Sequence, residues 1–231
     1  GIGQLFSIHL KVHAAEKLKA HILDAELRNL QAQINPHFLF NTLHLISSLF
    51  RVNPLKARMI TIQLAHFMRF NLEITERSLI SLKEEWAHLK AYTDIVDARF
   101  SNRIKVNYHI DYHLNFANIF IPPSTIQPIV ENSIQHGLKE ITSDGEINIR
   151  IEGKGERVMI SVTDNGIGFN DTAIKQVIYK ERPKNNYSGI GLYNVNHRLT
   201  NLLDPEAKLH IKNIPSGGSK VSFSIPNYKY E

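Results

Sequence analysis

The sequence predicts an α+β protein in which a helical N-terminal part, with coiled-coil and bundle helices, precedes an α/β sandwich. Two patterns of apolar residues support this prediction. Before residue 100, apolar residues recur at spacings of three and four, which is typical of helices that bury one face. After residue 100 the apolar period becomes two, which is typical of half-buried strands. The chain of 231 residues is therefore expected to form two domains, residues 1–100 and residues 101–231.

Composition excludes several classes of protein. Hydrophobic residues make up 42% and charged residues 21% of the chain, a balance typical of globular rather than disordered proteins. The longest apolar runs, such as residues 119–123, are far too short to cross a bilayer. Without cysteine, the chain can form neither disulfides nor thiolate metal sites. The net charge of +5 is spread among interleaved acids, which suits an anionic ligand such as a nucleotide and predicts no direct binding of nucleic acid.

The first helical region carries two apolar seams. Spacings of three and four residues are those of a coiled coil, and the phase slips between the two seams. Such seams would stay in water in a monomer, so a homodimer is predicted. The seams are formed by Leu5, Ile8, Val12 and Ala15 and then by Leu23, Leu27, Leu30 and Ile34.

Two further helices are predicted before residue 100. One follows the stretch "VNP", with Pro54 in its first turn, where the missing N–H of proline costs no helical hydrogen bond. The other begins at Ser81, where "SLKE" is a capping box in which Ser81 and Glu84 satisfy unpaired N–H groups reciprocally. The residues expected to face inward are Ile60, Leu64, Phe67 and Met68 in the first helix and Leu82, Trp86, Leu89, Val96 and Phe100 in the second.

The second half of the chain reads as strands with two interspersed helices. "RIKVNYHIDY" alternates apolar and polar residues from Ile104 to Tyr112, as a half-buried strand does. "GEINIRIEG" and "RVMISVTD" form a predicted hairpin, and "AKLHIKN" and "SKVSFSI" form another. Helical patterns cover residues 123–139 and 190–203. Strands and helices in this order favour a sheet with one face covered by helices.

Three short stretches of this half carry residue types suited to binding a nucleotide. "QPIVENSIQHG" is helical and holds Asn132, whose side-chain oxygen is a ligand suited to Mg²⁺ bound with phosphates. In "DNGIGF", Asp164 ends a strand and can accept a hydrogen bond from an exocyclic amine. In "SGIGLYNVNHRL", glycines open a helix, where backbone N–H groups can approach a phosphate. Each stretch alone is weak, but the three together in this order predict a nucleotide site.

An unusual stretch, "LQAQINPHFLFNTLHLI", occupies residues 30–46 of the helical half. Pro36 is expected to bend the helix just before His37. Phe38, Leu39 and Phe40 are expected to anchor that turn in the core of the dimer, leaving His37 exposed. The alternative interpretation of this stretch is a kink with a packed histidine.

These motifs resemble those of a known family. The C-terminal half is similar to the ATP-binding domain shared by histidine kinases, DNA gyrase, Hsp90 and MutL, with "ENSIQHG", "DNGIGF" and "SGIGL" as its N box, G1 box and G2 box. "QINPHFLFNTL" and "GLYNVNHRL" are similar to segments of the LytS/YehU-type sensor histidine kinases. The resemblance runs from about Leu30 to the C-terminus and implies a dimerisation and phosphoacceptor bundle before the ATP-binding domain.

The resemblance implies a role for individual residues. His37 would accept a phosphoryl group from ATP, Asn132 would bind Mg²⁺, and Asp164 would bind the adenine amine. Residues 170–187 would form a mobile lid over the nucleotide. The remaining residues implied to shape the ATP pocket are Gly166, Gly168, Ser188, Gly189, Gly191 and Leu192.

Two departures from the pattern of other histidine kinases affect the proposed chemistry. The position after the phosphoacceptor, where many of them have an acid, is Phe38, so Glu131 becomes the candidate base for His37. The position three residues after Asn132, where a basic residue is common, is Gln135. Phosphate charge would then be met by Mg²⁺ with nearby basic residues. The candidate basic residues are His136, Lys139 and Lys184. Asn41, one helical turn after His37, could orient phosphate or water.

The resemblance also implies partners. A sensor kinase would pass its phosphoryl group to an aspartate of a response regulator. Residues 5–34 would connect it to a membrane sensor region, which would make this chain the cytoplasmic portion. Three alternatives remain open at this point. One is a chaperone or topoisomerase ATPase, which would need a carboxylate where Pro128 stands. The others are a serine-kinase anti-sigma factor, which would lack the "NPHFLFN" motif, and a non-catalytic dimeric module that binds nucleotide.

Overall fold

Three long helices form the helical part of the fold, as far as the structure describes it. The computed structural model describes residues 36–74, 77–100, 103–170, 174 and 190–227. Helices α1 (Pro36–Val52), α2 (Pro54–Glu73) and α3 (Leu82–Phe100) come first, and α4 (Ile126–Asn132) and α5 (Ile190–Leu202) lie among the strands. The predicted coiled-coil seams lie outside the described residues. The bend predicted at Pro36 is not tested, because the chain before Pro36 also lies outside them.

A mixed five-stranded sheet forms the second part of the fold. Its strand order is β2-β4-β5-β7-β6; β2 runs parallel to β4, and all other neighbours are antiparallel. Both predicted hairpins, β4–β5 and β6–β7, are present. A separate antiparallel pair joins β1 to β3. The strands are β1 (Ile80–Ser81), β2 (Ile104–Ile110), β3 (Phe120–Ile121), β4 (Gly145–Lys154), β5 (Arg157–Asp164), β6 (His210–Asn213) and β7 (Ser219–Pro226).

One face of the sheet is covered by helices. Alternate residues of β4, such as Ile147 and Ile149, are fully buried, whereas Glu146 and Arg150 on either side of this pair are exposed. The buried face packs with apolar residues of α3, α4 and α5 in one core. Burying each large aliphatic side chain contributes about 1.5–3 kcal/mol. The predicted α+β sandwich is confirmed.

Helix α3 belongs to two cores at once. Leu89 and Val96 lie in the core that includes the sheet, whereas Ile95 and Ala98 pack with α1 and α2 in a smaller core. The helix is therefore packed on the sheet and on the bundle alike. A division of the chain near residue 100 stays a prediction, because the larger core contains residues from both sides of that point.

The predicted helix signals form as expected. Asn53 is the N-cap of α2, which begins at Pro54. Its side chain accepts a hydrogen bond from the Lys56 N–H at 3.0 Å. At the start of α3, the Ser81 hydroxyl accepts from the Glu84 N–H at 3.2 Å, and the Glu84 carboxylate accepts from the Ser81 N–H at 2.9 Å. The capping box is confirmed. Among the predicted inward residues of α2, Ile60, Leu64 and Phe67 are buried.

Two element ends differ from the prediction. Strand β2 ends at Ile110 because the Asp111 side chain accepts the His113 N–H at 3.0 Å and turns the chain, which leaves Tyr112 92% exposed. The helix predicted over residues 123–139 begins at Ile126 and changes at Ser133 into one π turn that ends at Gly137. A π turn inside a helix is frequent at functional sites.

Candidate functional site

His37 lies on the exposed surface of the first turn of α1. The amide nitrogen of Asn41 is 3.0 Å from its Nε2 and 3.2 Å from its Nδ1, so Asn41 can donate to whichever ring nitrogen carries no proton. The sequence placed Asn41 on the same helix face, and the structure brings the two side chains together. The ring is available from solvent and has a hydrogen-bonding neighbour that orients it.

Phe38 and Leu39 fix this turn within the protomer. The Phe38 ring lies 5.0 Å from that of Phe67 and 5.3 Å from that of Tyr92, so it joins α1 to α2 and α3. Phe40 was expected to share this role, but it is 62% exposed, because it lies on the outer face of α1. The anchoring of the His37 turn is therefore intramolecular, which differs from the predicted packing in a dimer core.

A cavity of about 440 Å³ joins His37 to the N-box segment. Glu131, Gln135 and Lys139 line it from the side of α4 and the π turn. From the side of α3 it is lined by Tyr92 and Arg99, with Arg103 just beyond. The structure thus places the predicted phosphoacceptor and the candidate base Glu131 around one space, together with cations that can meet phosphate charge.

Charges in this cavity act on one another. Burial raises the pKa of the Tyr92 hydroxyl well above its usual value, and the negative charge of Glu131 raises it further, while the Arg99 guanidinium opposes the shift. Glu131 also accepts a hydrogen bond from the Gln135 amide at 2.7 Å. Arg103 donates to the carbonyl oxygens of Leu138 and Lys139 at 2.9 and 2.6 Å, which stabilises the end of the N-box segment.

Asp164 forms the buried floor of a second site on the N-box segment. Its Oδ2 accepts from the Ser133 hydroxyl at 3.0 Å and the Ser219 hydroxyl at 2.7 Å, and its Oδ1 accepts from the Gly166 N–H at 3.0 Å. An ionised carboxylate has about four lone-pair sites. Three are used here, so one is left to accept a hydrogen bond from a ligand amine.

Glycines let the backbone close around Asp164. A Cβ on Gly137 would lie 3.0 Å from the Asp164 Oδ1, and one on Gly218 would lie 1.9 Å from the Asp164 carbonyl oxygen. Gly168 has φ +78°, a left-handed conformation that favours glycine, and a Cβ there would lie 2.8 Å from the Asn213 Oδ1. A side chain at Gly218 would collide with the backbone at the end of β5, whereas one at Gly137 or Gly168 would require the Asp164 or Asn213 side chain to shift.

Asn132 is the last residue of α4 and stands directly before the π turn. His136 and Lys139 follow it and are exposed. Among the described residues, no group of three or more His, Asp or Glu side chains is placed to hold a metal ion. A Mg²⁺ ion held mainly by phosphates needs only one or two protein ligands, so Asn132 fits that role.

The G2-box residues are described only in part. Gly191 lies in the first turn of α5 and is exposed, and the nearest atom to a Cβ built on it is the Pro128 Cβ at 3.9 Å. Leu192 is only 2% exposed and packs in the core, so its side chain does not reach a ligand. Ser188, Gly189, Lys184 and nearly all of the predicted lid lie outside the described residues.

Several residues of the site were missed by the sequence reasoning. Ser133 and Ser219 hold the Asp164 carboxylate, and Asn213 holds the turn after it through two hydrogen bonds of 2.8 Å to the Phe169 backbone. The double glycine in "IPSGG" was the available signal for Gly218. The contacts of the serines and of Asn213 join segments far apart in sequence, which local patterns do not reveal.

Two family patterns match the chain. The pattern of the family described as "Histidine kinase" matches residues 25–104. That of the family described as "Histidine kinase-, DNA gyrase B-, and HSP90-like ATPase" matches residues 122–229. The chain belongs to the histidine kinase family. Its expected resemblance to the LytS-type sensor kinases is confirmed by the relatives that follow.

Three relatives are similar to this chain over nearly its whole length. "Sensor protein LytS" of Oceanobacillus iheyensis is 47% identical over 230 residues, 98% of this chain and 38% of that protein. "Sensor histidine kinase YpdA" of Escherichia coli is 41% identical over 99% of this chain and 39% of that protein. "Sensor protein LytS" of Bacillus subtilis is 36% identical over 98% of this chain and 38% of that protein. The chain spans about two fifths of the length of these relatives. None of its described helices has the length and apolar character needed to span a bilayer.

Proposed function

We propose that this chain is the kinase portion of a two-component sensor histidine kinase, which transfers the γ-phosphoryl group of ATP to His37 and then to an aspartate of a response regulator. The cavity shared by His37, Glu131 and Lys139 is the observation that carries the proposal. In this cavity a nucleophile and a carboxylate lie beside the N-box segment. Asn132 of that segment suits Mg²⁺, and Asp164, which is hydrogen-bonded to the segment through Ser133, suits the adenine of ATP.

The first step requires a neutral imidazole. An unprotonated nitrogen of His37 forms a bond to the γ-phosphorus, while the bond from that phosphorus to the bridging oxygen breaks and ADP leaves with its electron pair. The proton on the other ring nitrogen then passes to Glu131 or to solvent. In the second step a carboxylate oxygen of the regulator attacks the phosphorus, the N–P bond breaks, and His37 is regenerated.

The remaining residues bind and position. Asp164 accepts a hydrogen bond from the adenine amine through its remaining lone pair. The pocket is shaped by Gly166, Gly168, Ser188, Gly189, Gly191 and the backbone of Leu192. The Asn132 side-chain oxygen would hold Mg²⁺, which would neutralise charge at the phosphates. His136 and Lys139 add positive charge, and Asn41 orients the His37 ring.

The proposal extends to assembly and location. Apolar side chains on the outer faces of α1 and α2 suit a homodimer, because they would otherwise remain in water. Relatives more than twice as long leave room for a membrane-bound sensor region, which would make this part cytoplasmic. The exposed side chains are Phe40, Leu43, Phe50, Leu55, Met59 and Ile62.

Labelling with γ-labelled Mg·ATP tests the function. The chain should gain acid-labile phosphate, and His37→Gln should abolish it while ATP affinity measured by calorimetry stays nearly unchanged. Asn132→Ala should abolish labelling through loss of the metal. His197→Gln is the matched control, since the Asn201 amide nitrogen lies 3.0 and 3.2 Å from its ring nitrogens, as in the His37 pair. Acid-labile phosphate that persists in His37→Gln, for instance on His44, would contradict the assignment.

The second candidate is a non-catalytic dimeric module that binds nucleotide. It predicts Mg·ATP binding by the unmodified chain with no phosphate on any histidine. The same two measurements therefore separate the candidates.

A further inference from the structure

Glu85 of α3 is a fully buried carboxylate placed at the start of α4. Its Oε2 accepts the Ser124 N–H at 2.9 Å, and its Oε1 accepts the N–H groups of Thr125 and Ile126 at 2.8 Å each. The first N–H groups of a helix have no partner within the helix. The N-cap Thr125 provides no side-chain cap, since its hydroxyl donates to the Pro122 carbonyl oxygen. A residue of a different helix therefore caps α4.

Arg198 of α5 holds the same turn from the other side. Its guanidinium donates to the carbonyl oxygens of Pro123 and Ser124, each at 2.7 Å. Ser124 has φ +50°, a left-handed conformation uncommon for a residue with a side chain. The turn thus offers its N–H groups to Glu85 and its carbonyl oxygens to Arg198. The strained backbone of Ser124 is stabilised by both.

The two charges also compensate each other. Burial raises the pKa of the Glu85 carboxyl, and the three backbone N–H groups and the Arg198 charge oppose that shift. Burial lowers the pKa of Arg198, and the Glu85 charge opposes that shift. A buried charge that loses its partner is costly, so α3, α4 and α5 are held in one relative arrangement.

This arrangement connects the two sites of the kinase. Helix α3 carries Tyr92 and Arg99 in the His37 cavity, and α4 carries Glu131 and Asn132 less than two turns beyond the clamped end. Helix α5 begins at Ile190, inside the G2 box, and has Gly191 in its first turn. A small rotation of α4 at its clamped end would move Glu131 and Asn132 relative to His37.

We propose that Glu85 and Arg198 are positioning residues for phosphoryl transfer, which set the direction of α4 so that its Glu131 and Asn132 meet His37 and the nucleotide correctly. This inference rests on the proposed function. Phosphoryl transfer depends mainly on positioning and charge neutralisation, and displacement of a reacting group by about 1 Å can slow a reaction about 100-fold. The clamp does not touch Asp164, so adenine binding does not depend on it directly.

Glu85→Gln and Arg198→Lys test this role in the whole chain. The amide of Gln presents N–H donors where Glu85 accepts, and Lys keeps the charge of Arg198 but cannot donate in parallel to two carbonyl oxygens. We expect each variant to lower the labelling rate of His37 at saturating Mg·ATP by roughly tenfold or more, a displacement effect. The Kd for Mg·ATP should change by less than about threefold. The losses in the double variant should be smaller than the product of the single losses.

Glu84→Gln is the matched control. Glu84 is adjacent in sequence but caps α3 and pairs with Arg77 at 2.7 Å, away from α4. It should lower the melting temperature and leave the labelling rate at saturating ATP unchanged. Comparable rates in the unmodified chain and both clamp variants would overturn the inference. So would rates that fall only in proportion to the folded fraction or to ATP affinity. If the unmodified chain gains no label, the proposed function fails, and the inference fails with it.

Discussion

The backbone of Gly166 lies directly against that of Gly137. A Cβ on Gly166 would be 2.1 Å from the Gly137 carbonyl oxygen, and that oxygen accepts the N–H of Ile167 at 3.0 Å. The turn after β5 is therefore fixed to the end of the π turn, with the Asp164 carboxylate held beside both. This contact joins the N box to the G1 box without any side chain.

Gly166→Ala should disrupt the nucleotide site. The added methyl group meets backbone, which cannot move aside cheaply, so we expect about 1–3 kcal/mol or more of lost stability and loss of Mg·ATP binding. Thermal unfolding and calorimetry measure the two effects. Gly155→Ala is the control, because Gly155 also has a left-handed φ of +60° but no atom within 4 Å of its added Cβ. That variant should lose stability and keep ATP affinity; equal ATP affinity in Gly166→Ala would refute the steric argument.

Asp164→Asn should weaken Mg·ATP binding. The change replaces a carboxylate that accepts three hydrogen bonds with an amide that has one acceptor oxygen and an NH₂ group. Losing a charge-assisted hydrogen bond to the adenine amine costs on the order of 1.5–3 kcal/mol, about 10- to 150-fold in Kd. Calorimetry checks this. Asp204→Asn, which alters the ion pair with Arg157 at the opposite end of β5 from Asp164, should leave the Kd unchanged.

Glu131→Gln should slow phosphorylation of His37 without weakening ATP binding. The amide keeps the size of the side chain but cannot take a proton, and general-base catalysis typically contributes about 10²–10⁴-fold. Single-turnover labelling at saturating Mg·ATP measures the rate. Glu140→Gln, an exposed neighbour absent from the cavity lining, is the control. An unchanged rate in Glu131→Gln would show that the proton leaves to solvent.

Met59→Asp should weaken the homodimer. Met59 is 62% exposed on α2, and burying a large apolar side chain contributes about 1.5–3 kcal/mol, so the dimer Kd should rise about tenfold or more. Light scattering over a dilution series measures it. Tyr112→Asp, at the 92% exposed end of β2, should not alter assembly. A monomer for the unmodified chain at micromolar concentration would exclude the dimer for this part of the protein.

His88 should make the fold less stable as the pH falls. It is 3% exposed, and its ring stacks on Phe70 with a centroid distance of 3.9 Å. Burial lowers its pKa from 6.5 to about 4, although the hydrogen bond that its Nε2 donates to the Gln127 Oε1 opposes the shift. The unfolded chain therefore binds a proton between pH 6.5 and 4 that the folded chain does not.

The resulting loss of stability should begin near pH 6.5 and level off near pH 4, with a total of about 3 kcal/mol. Urea unfolding at a series of pH values measures it. His88→Leu should remove this dependence between pH 6.5 and 5. The partly exposed Glu84, whose pKa is lowered to about 2 by its hydrogen bond with Arg77, also stabilises the fold. That stability should be lost only below about pH 4.5, the ordinary pKa of a glutamate. A pH profile shared by His88→Leu and the unmodified chain would contradict the assignment.

Local patterns in the sequence were enough to predict much of the fold. Apolar periodicity predicted the helices and hairpins, and short-range signals such as Pro54 and the Ser81–Glu84 capping box predicted where two helices begin. These features depend on residues close together in the chain. The π turn was not predicted, because no residue in "SIQHG" distinguishes it from an α-helix.

The candidate site was predictable to a lesser degree. The motif resemblance named His37, Asn132 and Asp164, but not the serines that hold Asp164. Neither His88 nor Glu85 could be given a role from the sequence, because their burial depends on the packing of α3 against α4. The residues that they contact there lie 39 to 41 positions later in the chain. Long-range contacts of this kind leave no periodic trace.

The double packing of α3 matters for anyone who builds hybrid kinases. A junction placed near residue 100 would give α3 of one kinase to the sheet of another and would separate Glu85 from the turn that it caps. A junction before Ile80, ahead of β1, would move α3, the β1–β3 pair and the sheet as one unit. Input from a foreign sensor would then enter through α1 and α2 alone, and the recipient would keep its own nucleotide site intact.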